Sequence, residues 1–255
     1  MRLQHKVAVI TGGAQGVGRA VAWRMAREGA SVVAVDIKEE LLVRLVTEIC
    51  DAGLNATAVV ADVATEAGNK HAVETAVSQY GGLDIFHANA AVIRFSDIVH
   101  TTESTWDEIH RVNLKGAYLG CQAAIPALIS RGGGSLILTA SVLGLVGDPE
   151  LSAYGATKGG LRALCRSLAV AYGPQQIRCN TICPGDIETP MLIHFLDQQP
   201  DPEAALKKMT DAYPLRRLAT PEDVASVAVF LASDESRNIT GTDLLTDGGL
   251  LAKCY

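Results

Sequence analysis

The segment Ser152-Ala153-Tyr154-Gly155-Ala156-Thr157-Lys158 sets a phenol four residues ahead of an ammonium group. Residues at that spacing are neighbours on one face of a helix, so the two groups meet if the segment is helical. The chemistry open to such a pair is proton transfer. A free phenol titrates at about pH 10 and exchanges protons poorly near neutrality, whereas a neighbouring cation favours the phenolate. Taken alone, Tyr154 and Lys158 also fit a solvated surface pair, because so short a pattern recurs by chance. The catalytic reading requires a fold that brings a cofactor and a third polar group to the same place.

A second stretch supplies the place for a cofactor. Thr11-Gly12-Gly13-Ala14-Gln15-Gly16-Val17-Gly18 follows an apolar run and opens a helical pattern. Glycines there let the backbone turn tightly and approach a pyrophosphate, whose charge the free N–H groups of a helix N-terminus stabilise. The next apolar run ends in Asp36, near the ~20-residue offset of the acid that hydrogen-bonds an adenosine ribose. A carboxylate favours free ribose hydroxyls and repels a 2′-phosphate, so Asp36 points to NAD rather than NADP. No Arg or Lys stands in the loop before Gly18, although Lys38 is close by. Asp36 read alone is a strand-end turn residue; strand, loop, helix and acid in one order favour the cofactor.

Elements to position these groups are legible as alternating patterns. Apolar, β-branched runs recur at VAVIT, SVVAVD, TAVVAD, LDIFHAN, SLILTAS, IRCNTICPG and DLLTDGG, with helical spacing between them. Short runs without alternation suit strands buried on both faces, and strand–helix alternation implies a parallel sheet covered on each side. The expected fold is therefore α/β and doubly wound, with a mostly parallel seven-stranded sheet in a single domain over residues 1–255. Leu161, Leu164, Cys165, Leu168 and Tyr172 give one apolar helical face, ended by Gly173 and Pro174, so Tyr154 and Lys158 open a real helix. Thr220-Pro221-Glu222-Asp223 reads as a helix start capped by Thr220. One irregular region, about 188–214, carries Pro190, Pro200, Pro202 and Pro214 and reads as short helical pieces in a lid.

Composition narrows the function classes. The chain has 255 residues, 48% apolar and 20% charged, and its 22 basic and 28 acidic residues form no block of one sign. Nothing in that balance is a footprint for nucleic acid or an anionic membrane, so small-molecule partners are expected. No apolar run approaches the ~20 residues that cross a bilayer, and the first strand begins too early to leave room for a signal peptide. Cys50, Cys121, Cys165, Cys179, Cys183 and Cys254 show neither Cys-x-x-Cys nor metal spacing with His. Most are expected to be small core residues in a reducing cytoplasm, and no metal site is expected.

With Thr11-Gly12-x-x-x-Gly16-x-Gly18 and Tyr154-x-x-x-Lys158 in view, the chain resembles the compact, single-domain short-chain dehydrogenases/reductases, from about Lys6 to Gly249. Further matching marks are Asp62-Val63, ANAA at 88–91, Asn113 in VNLKG, Ser141 after the fifth strand, PGDIETPM from Pro184, and ITGTDLLTDGG near the end. The resemblance implies a Rossmann fold in which Tyr154 is the general base for alcohol oxidation and the acid for ketone reduction. It implies that Ser141 holds the substrate oxygen, that Lys158 binds the nicotinamide ribose, and that Asn113 holds a water in a proton relay. Cofactor contacts are implied at Gly12, Gln15, Gly16, Val17, Gly18, Asp36, Asp62, Val63, Asn89, Tyr154, Lys158, Ile187 and Thr189. ANAA departs from the family's Asn-Asn-Ala-Gly at Ala88 and Ala91, which puts the local backbone beside the cofactor in question. A homo-oligomer, dimer or tetramer, is also implied, with the helices holding Asn113 and Tyr154 at a shared interface.

The resemblance further places the substrate pocket among the residues after Ser141, residues such as Arg94, and the lid. Val142, Leu143, Leu145, Met191 and Phe195 would mix there with Asp148, Glu150, Asp186 and His194. Carboxylates could accept hydrogen bonds from sugar or diol hydroxyls; each could also be a solvated loop residue. The expected function is NAD-dependent hydride transfer from a secondary alcohol, with a polyol, sugar or cyclic diol favoured. Its rivals are ketone or 3-oxoacyl reduction by the same residues, and a non-catalytic cofactor sensor. Trp106 is expected to be a helix core residue rather than a ligand stacker.

Overall fold

The structure is a computed structural model that describes residues 1–253; Cys254 lies outside the described residues. Seven strands form one sheet: β1 (Val7–Thr11), β2 (Ser31–Asp36), β3 (Ala56–Val60), β4 (Ile85–Ala88), β5 (Gly134–Thr139), β6 (Ile177–Pro184) and β7 (Asp243–Thr246). Their spatial order is β3-β2-β1-β4-β5-β6-β7, and each adjacent pair is parallel. Each apolar run expected to be a strand is one. The order reverses between β1 and β4, where an open α/β sheet leaves a crevice at the carboxyl ends of its strands.

Helices alternate with the strands: α1 (Gly16–Arg27), α2 (Glu39–Asp51), α3 (Glu66–Tyr80), α4 (Glu103–His110), α5 (Gly116–Arg131), α6 (Ser152–Tyr172), α7 (Pro190–Leu196), α8 (Pro202–Ala212) and α9 (Pro221–Ala232). Two cores result, one on each sheet face. Val21, Met25, Leu42, Ile49, Val224 and Val229 pack with Ile10 and Ile182 on one side. Val73, Leu128, Leu161 and Cys165 pack with Val9, Phe86 and Leu136 on the other. Successive side chains of a strand point to opposite faces, so a strand apolar at each position feeds both cores.

Local signals place the helix ends. Thr220 accepts from Asp223 N while the Asp223 carboxylate accepts from Thr220 N, a capping box with Pro221 in the first turn. The apolar face expected on α6 is seated in the second core, with Leu161 and Cys165 buried and Leu164, Leu168 and Tyr172 packed against it. One expectation needs correction. Trp106 is 36% exposed on α4 and stacks on His110 at 4.1 Å, because α4 is a short helix with Ile109 as its one buried residue. Cys50 is exposed at the end of α2, whereas Cys121, Cys165, Cys179 and Cys183 are buried and free.

Candidate active site

The glycine loop is closed by contact and by conformation. Gly12 has φ +66°, and a Cβ there would stand 2.8 Å from Ala90 Cα; a Cβ on Gly18 would stand 2.0 Å from the Gly12 carbonyl oxygen. Side chains are excluded by backbone, which no rotamer can move. The Thr11 hydroxyl accepts from Asn89 N (3.0 Å) and Ala90 N (3.2 Å), so the end of β1 is stitched to the chain after β4. Ala88 is buried in β4 itself, and the altered ANAA segment retains these bonds. Gln15 precedes α1 without a side-chain cap, and the first turn carries no acid. A helix N-terminus left without a side-chain cap, beside glycines that admit close approach, fits a dinucleotide pyrophosphate.

Asp36 ends β2 facing this loop. Its carboxylate accepts from Ala14 N and Lys38 N, each at 3.1 Å, and Lys38 Nζ donates to Gln15 Oε1 at 3.0 Å. The turn-residue role is thus realised together with a position at the loop. Asp62, just after β3, accepts from Ala64 N (2.9 Å) and pairs with Arg111 (3.0 Å), while Val63 is buried beside Gly116. Asn89 uses its side chain internally: Nδ2 donates to Thr11 O (3.1 Å) and Oδ1 accepts from Thr139 Oγ1 (3.2 Å). It braces the loop.

The proton-transfer groups converge at the ends of β5 and the start of α6. Ser141 follows β5 and its Oγ accepts from Leu143 N at 3.1 Å, capping a short 3-10 turn. The same hydroxyl lies close enough to the Tyr154 phenol to lower its pKa. Lys158 is 2% exposed; its Nζ sits 5.2 Å from the Tyr154 ring centroid and donates to Thr139 O at 2.7 Å. The ammonium therefore lies against the ring face rather than on the phenol oxygen. Burial pushes the Tyr154 phenol above its ordinary range, the Ser141 hydroxyl pulls it down, and the Asp186 charge raises it further. Burial likewise pushes Lys158 down to about 8. Helical spacing alone suggested a phenol favoured as phenolate; burial, a tertiary effect, acts in the opposite direction.

Asn113 lies in a π turn, Arg111–Lys115, between α4 and α5, and is 1% exposed. Its Oδ1 accepts from Val92 N (2.8 Å) and its Nδ2 donates to Val92 O (2.9 Å), with a longer bond to Thr157 Oγ1 (3.4 Å). The side chain clamps the loop after β4 against α6 and is fully engaged in doing so. A π turn departs from the regular helical ladder and recurs at functional positions.

Sequence reasoning missed the middle of this floor. Thr139 accepts Lys158 through its carbonyl, while its hydroxyl bridges Asn89 Oδ1 and His87 Nε2 (2.8 Å). His87 is wholly buried in β4, burial lowers its pKa to about 3, and its Nδ1 has no partner. Nothing in spacing marks either residue, because both occupy ordinary strand positions.

After β6, Ile187 bridges Ala219 and Thr189 precedes α7, its methyl-bearing Cβ close to Gly16. Tyr213, 2% exposed at the end of α8, donates from its hydroxyl to Asp186 Oδ2 (2.8 Å) and accepts from Asp186 N (2.6 Å). Phe195 on α7 meets Phe95 across the cleft, ring centroids 5.0 Å apart. Arg94 is committed to Glu108 (2.7 Å) and Asp148 to Glu150 N (2.8 Å), while His194 hydrogen-bonds Gln198 (2.9 Å) along α7. These exposed groups are held by near neighbours.

Comparison with known proteins agrees with this geometry. A family model described as enoyl-(acyl carrier protein) reductase matches residues 12–251. The chain is 38% identical over 248 residues to the 2,5-dichloro-2,5-cyclohexadiene-1,4-diol dehydrogenase LinX of Sphingobium indicum, covering 97% of each chain. It is 38% identical over 251 residues to the 3-oxoacyl-[acyl-carrier-protein] reductase FabG of Thermotoga maritima, covering 98% of this chain and 100% of that one. A Burkholderia xenovorans crystal structure described as a short-chain dehydrogenase/reductase superposes with TM-score 0.95 at 33% identity, covering 100% of this chain and 99% of the other. The glycine loop, the Ser141–Tyr154–Lys158 floor and these likenesses together establish that the chain belongs to the short-chain dehydrogenase/reductase family, oxidoreductases that act on CH–OH groups with a nicotinamide cofactor.

Proposed function

We propose that the protein oxidises a secondary alcohol, favouring a polyol, sugar or cyclic diol, with NAD as hydride acceptor. The observation that carries this reading is Tyr154 with the Lys158 ammonium against its ring and the Ser141 hydroxyl close enough to act on the phenol. Ser141 and Tyr154 hold the substrate oxygen between two hydroxyls, and Tyr154 takes the alcohol proton as general base. Lys158, anchored on Thr139 O, keeps a cation beneath the phenol and holds the nicotinamide ribose. When bound, NAD supplies the hydride acceptor and a positive ring, which offsets the burial that disfavours phenolate. Asn113 fixes the cleft through Val92, so the water of a proton relay falls to its main-chain carbonyl in the π turn. Asp36 accepts the adenosine ribose hydroxyls and sets the preference for NAD. Gln15, Gly16, Val17 and Gly18 receive the pyrophosphate, Asp62 and Val63 border the adenine, and Ile187 and Thr189 border the nicotinamide amide. Residues 188–214 form the lid.

Reduction of a ketone or 3-oxoacyl group is the second reading, favoured by the likeness to FabG and by a phenol that burial keeps protonated. Initial rates of NADH formation on secondary alcohols, with wild type beside Tyr154→Phe, decide between the readings. We expect kcat to fall by about 10³-fold in the variant while NADH still binds. Equal activity in the variant would remove Tyr154 from the mechanism and reopen a cofactor-sensing role. Oxidation absent from wild type but NADPH-driven ketone reduction present would transfer the assignment to the reverse direction. A dimer or tetramer is supported by the solvent-facing apolar groups Tyr118 and Ile129 on α5 and Val170 on α6, and the buried free thiols suit a reducing cytoplasm.

A further inference from the structure

Asp186 is a carboxylate at the carboxyl edge of the sheet that the proton-transfer scheme does not use. It follows Gly185 at the carboxyl end of β6, is open to solvent, its charge is felt by Tyr154, and it in turn feels the charge of Asp148. One oxygen is occupied: Oδ2 accepts from the Tyr213 hydroxyl at 2.8 Å. Oδ1 accepts from no described residue, and an ionised carboxylate offers only acceptor sites. Tyr213 is itself fixed, its ring against Gly185 and Gly248 and its hydroxyl receiving Asp186 N at 2.6 Å. The carboxylate is thus pinned by a buried phenol while its other oxygen accepts from no described residue, and it stands just past the end of β6, which pairs in parallel with β5, the strand that leads to Ser141.

We infer that Asp186 is a specificity-determining residue that accepts a hydrogen bond from a second hydroxyl of the substrate, with Tyr213 as the positioning residue that fixes its orientation. This rests on the alcohol oxidation proposed above and deepens it: the substrate class becomes one with a neighbouring hydroxyl beside the carbon that loses hydride. A negative charge at that point also disfavours substrates carrying a carboxylate or phosphate, and Asp148, close enough for its charge to be felt, adds to the repulsion. Of the two carboxylates, Asp186 is the selector, because a buried phenol fixes its orientation, whereas Asp148 is held only by the neighbouring Glu150 N in an exposed turn.

The test compares vicinal diols with matched mono-alcohols, cis-1,2-cyclohexanediol against cyclohexanol and similar pairs, by kcat/KM with NAD. Wild type, Asp186→Ala and Tyr213→Phe are measured side by side, with Tyr154→Phe as the inactive reference. Wild type should prefer the diol, and Asp186→Ala should lower the ratio of diol to mono-alcohol kcat/KM by about 10- to 100-fold, the range for a bond to a charged acceptor. Tyr213→Phe should raise KM for diols at nearly unchanged kcat for mono-alcohols. Diol and mono-alcohol falling together in Asp186→Ala would overturn the selector role, and equal loss of kcat on both substrates in Tyr213→Phe would overturn the positioning role. Wild type that turns over both classes equally, with Tyr154→Phe dead, sinks this inference while leaving alcohol oxidation intact. No turnover of any alcohol removes both.

Discussion

The floor of the cleft and the segment proposed as its lid, residues 188–214, are built by different means. On the floor, Asn113, Ser141 and Lys158 are each less than a tenth exposed, and nearly every polar atom is bonded to backbone or to another floor residue. In the lid, neither α7 nor α8 buries a single residue. The lid is tied at its base by the Ile187–Ala219 bridge and at its far end by Tyr213, and it touches the opposite wall through Phe195 on Phe95. Segments with few buried apolar contacts open at low free-energy cost. The difference teaches how the proposed roles divide: a rigid floor suits the reaction, and a weakly packed segment with one fixed carboxylate at its root suits the choice of substrate.

The comparison breaks most sharply at the glycine loop. Gly18→Ala drives a methyl group into the Gly12 carbonyl, so we expect a loss of about 1–3 kcal/mol in stability from overpacking and a weakening of NADH binding by about tenfold or more. Thermal melting and NADH fluorescence titration read both. Wild-type values for each would mean that the floor yields as easily as the lid.

Acid tests the floor through His87. In the unfolded chain this imidazole takes a proton at its ordinary pKa of 6.5, whereas in the folded protein burial delays protonation to about 3. Between those values the unfolded state binds more protons, so stability falls as pH falls, by about 1.4 kcal/mol per pH unit at most. Urea titrations of wild type and His87→Leu between pH 6.5 and 4.5 should show a shallower pH dependence in the variant. Parallel curves would place the acid sensitivity elsewhere.

The smallest effect on stability is expected at the lid. Phe195→Ala removes an aromatic contact of about 0.5–1.5 kcal/mol that is partly solvated, so Tm should move by no more than about 2 °C while KM for the alcohol rises about three- to tenfold. A fall in Tm matching that of Gly18→Ala would erase the distinction between the two regions.

Much of the architecture was open to reading along the chain because its signals are local. Uninterrupted apolar runs became the seven parallel strands, Thr220 and Asp223 became a capping box, and the α6 stripe found its core. Trp106 failed that reading, since the type of a residue does not say whether its helix face meets a partner; on α4 it meets His110 and solvent. At the site, the spacing of Tyr154 and Lys158 foretold their proximity but not that the ammonium turns to Thr139 O. Asn89 and Asn113 were named as ligand and relay groups, yet their side chains are spent on bracing the loops after β1 and β4.

The amino-acid sequence by itself determined which segments are strands and helices, where the glycine loop precedes α1, and which residues stand at strand ends, because periodicity, capping and glycine geometry act over a few residues. Only the tertiary structure decided the protonation landscape and the division of labour: burial raises Tyr154 and lowers Lys158 and His87, and contacts between distant residues join Thr139 to Lys158 and Asp186 to Tyr213. Desolvation and long-range hydrogen bonds depend on what surrounds a group in space, and no local pattern carries that information.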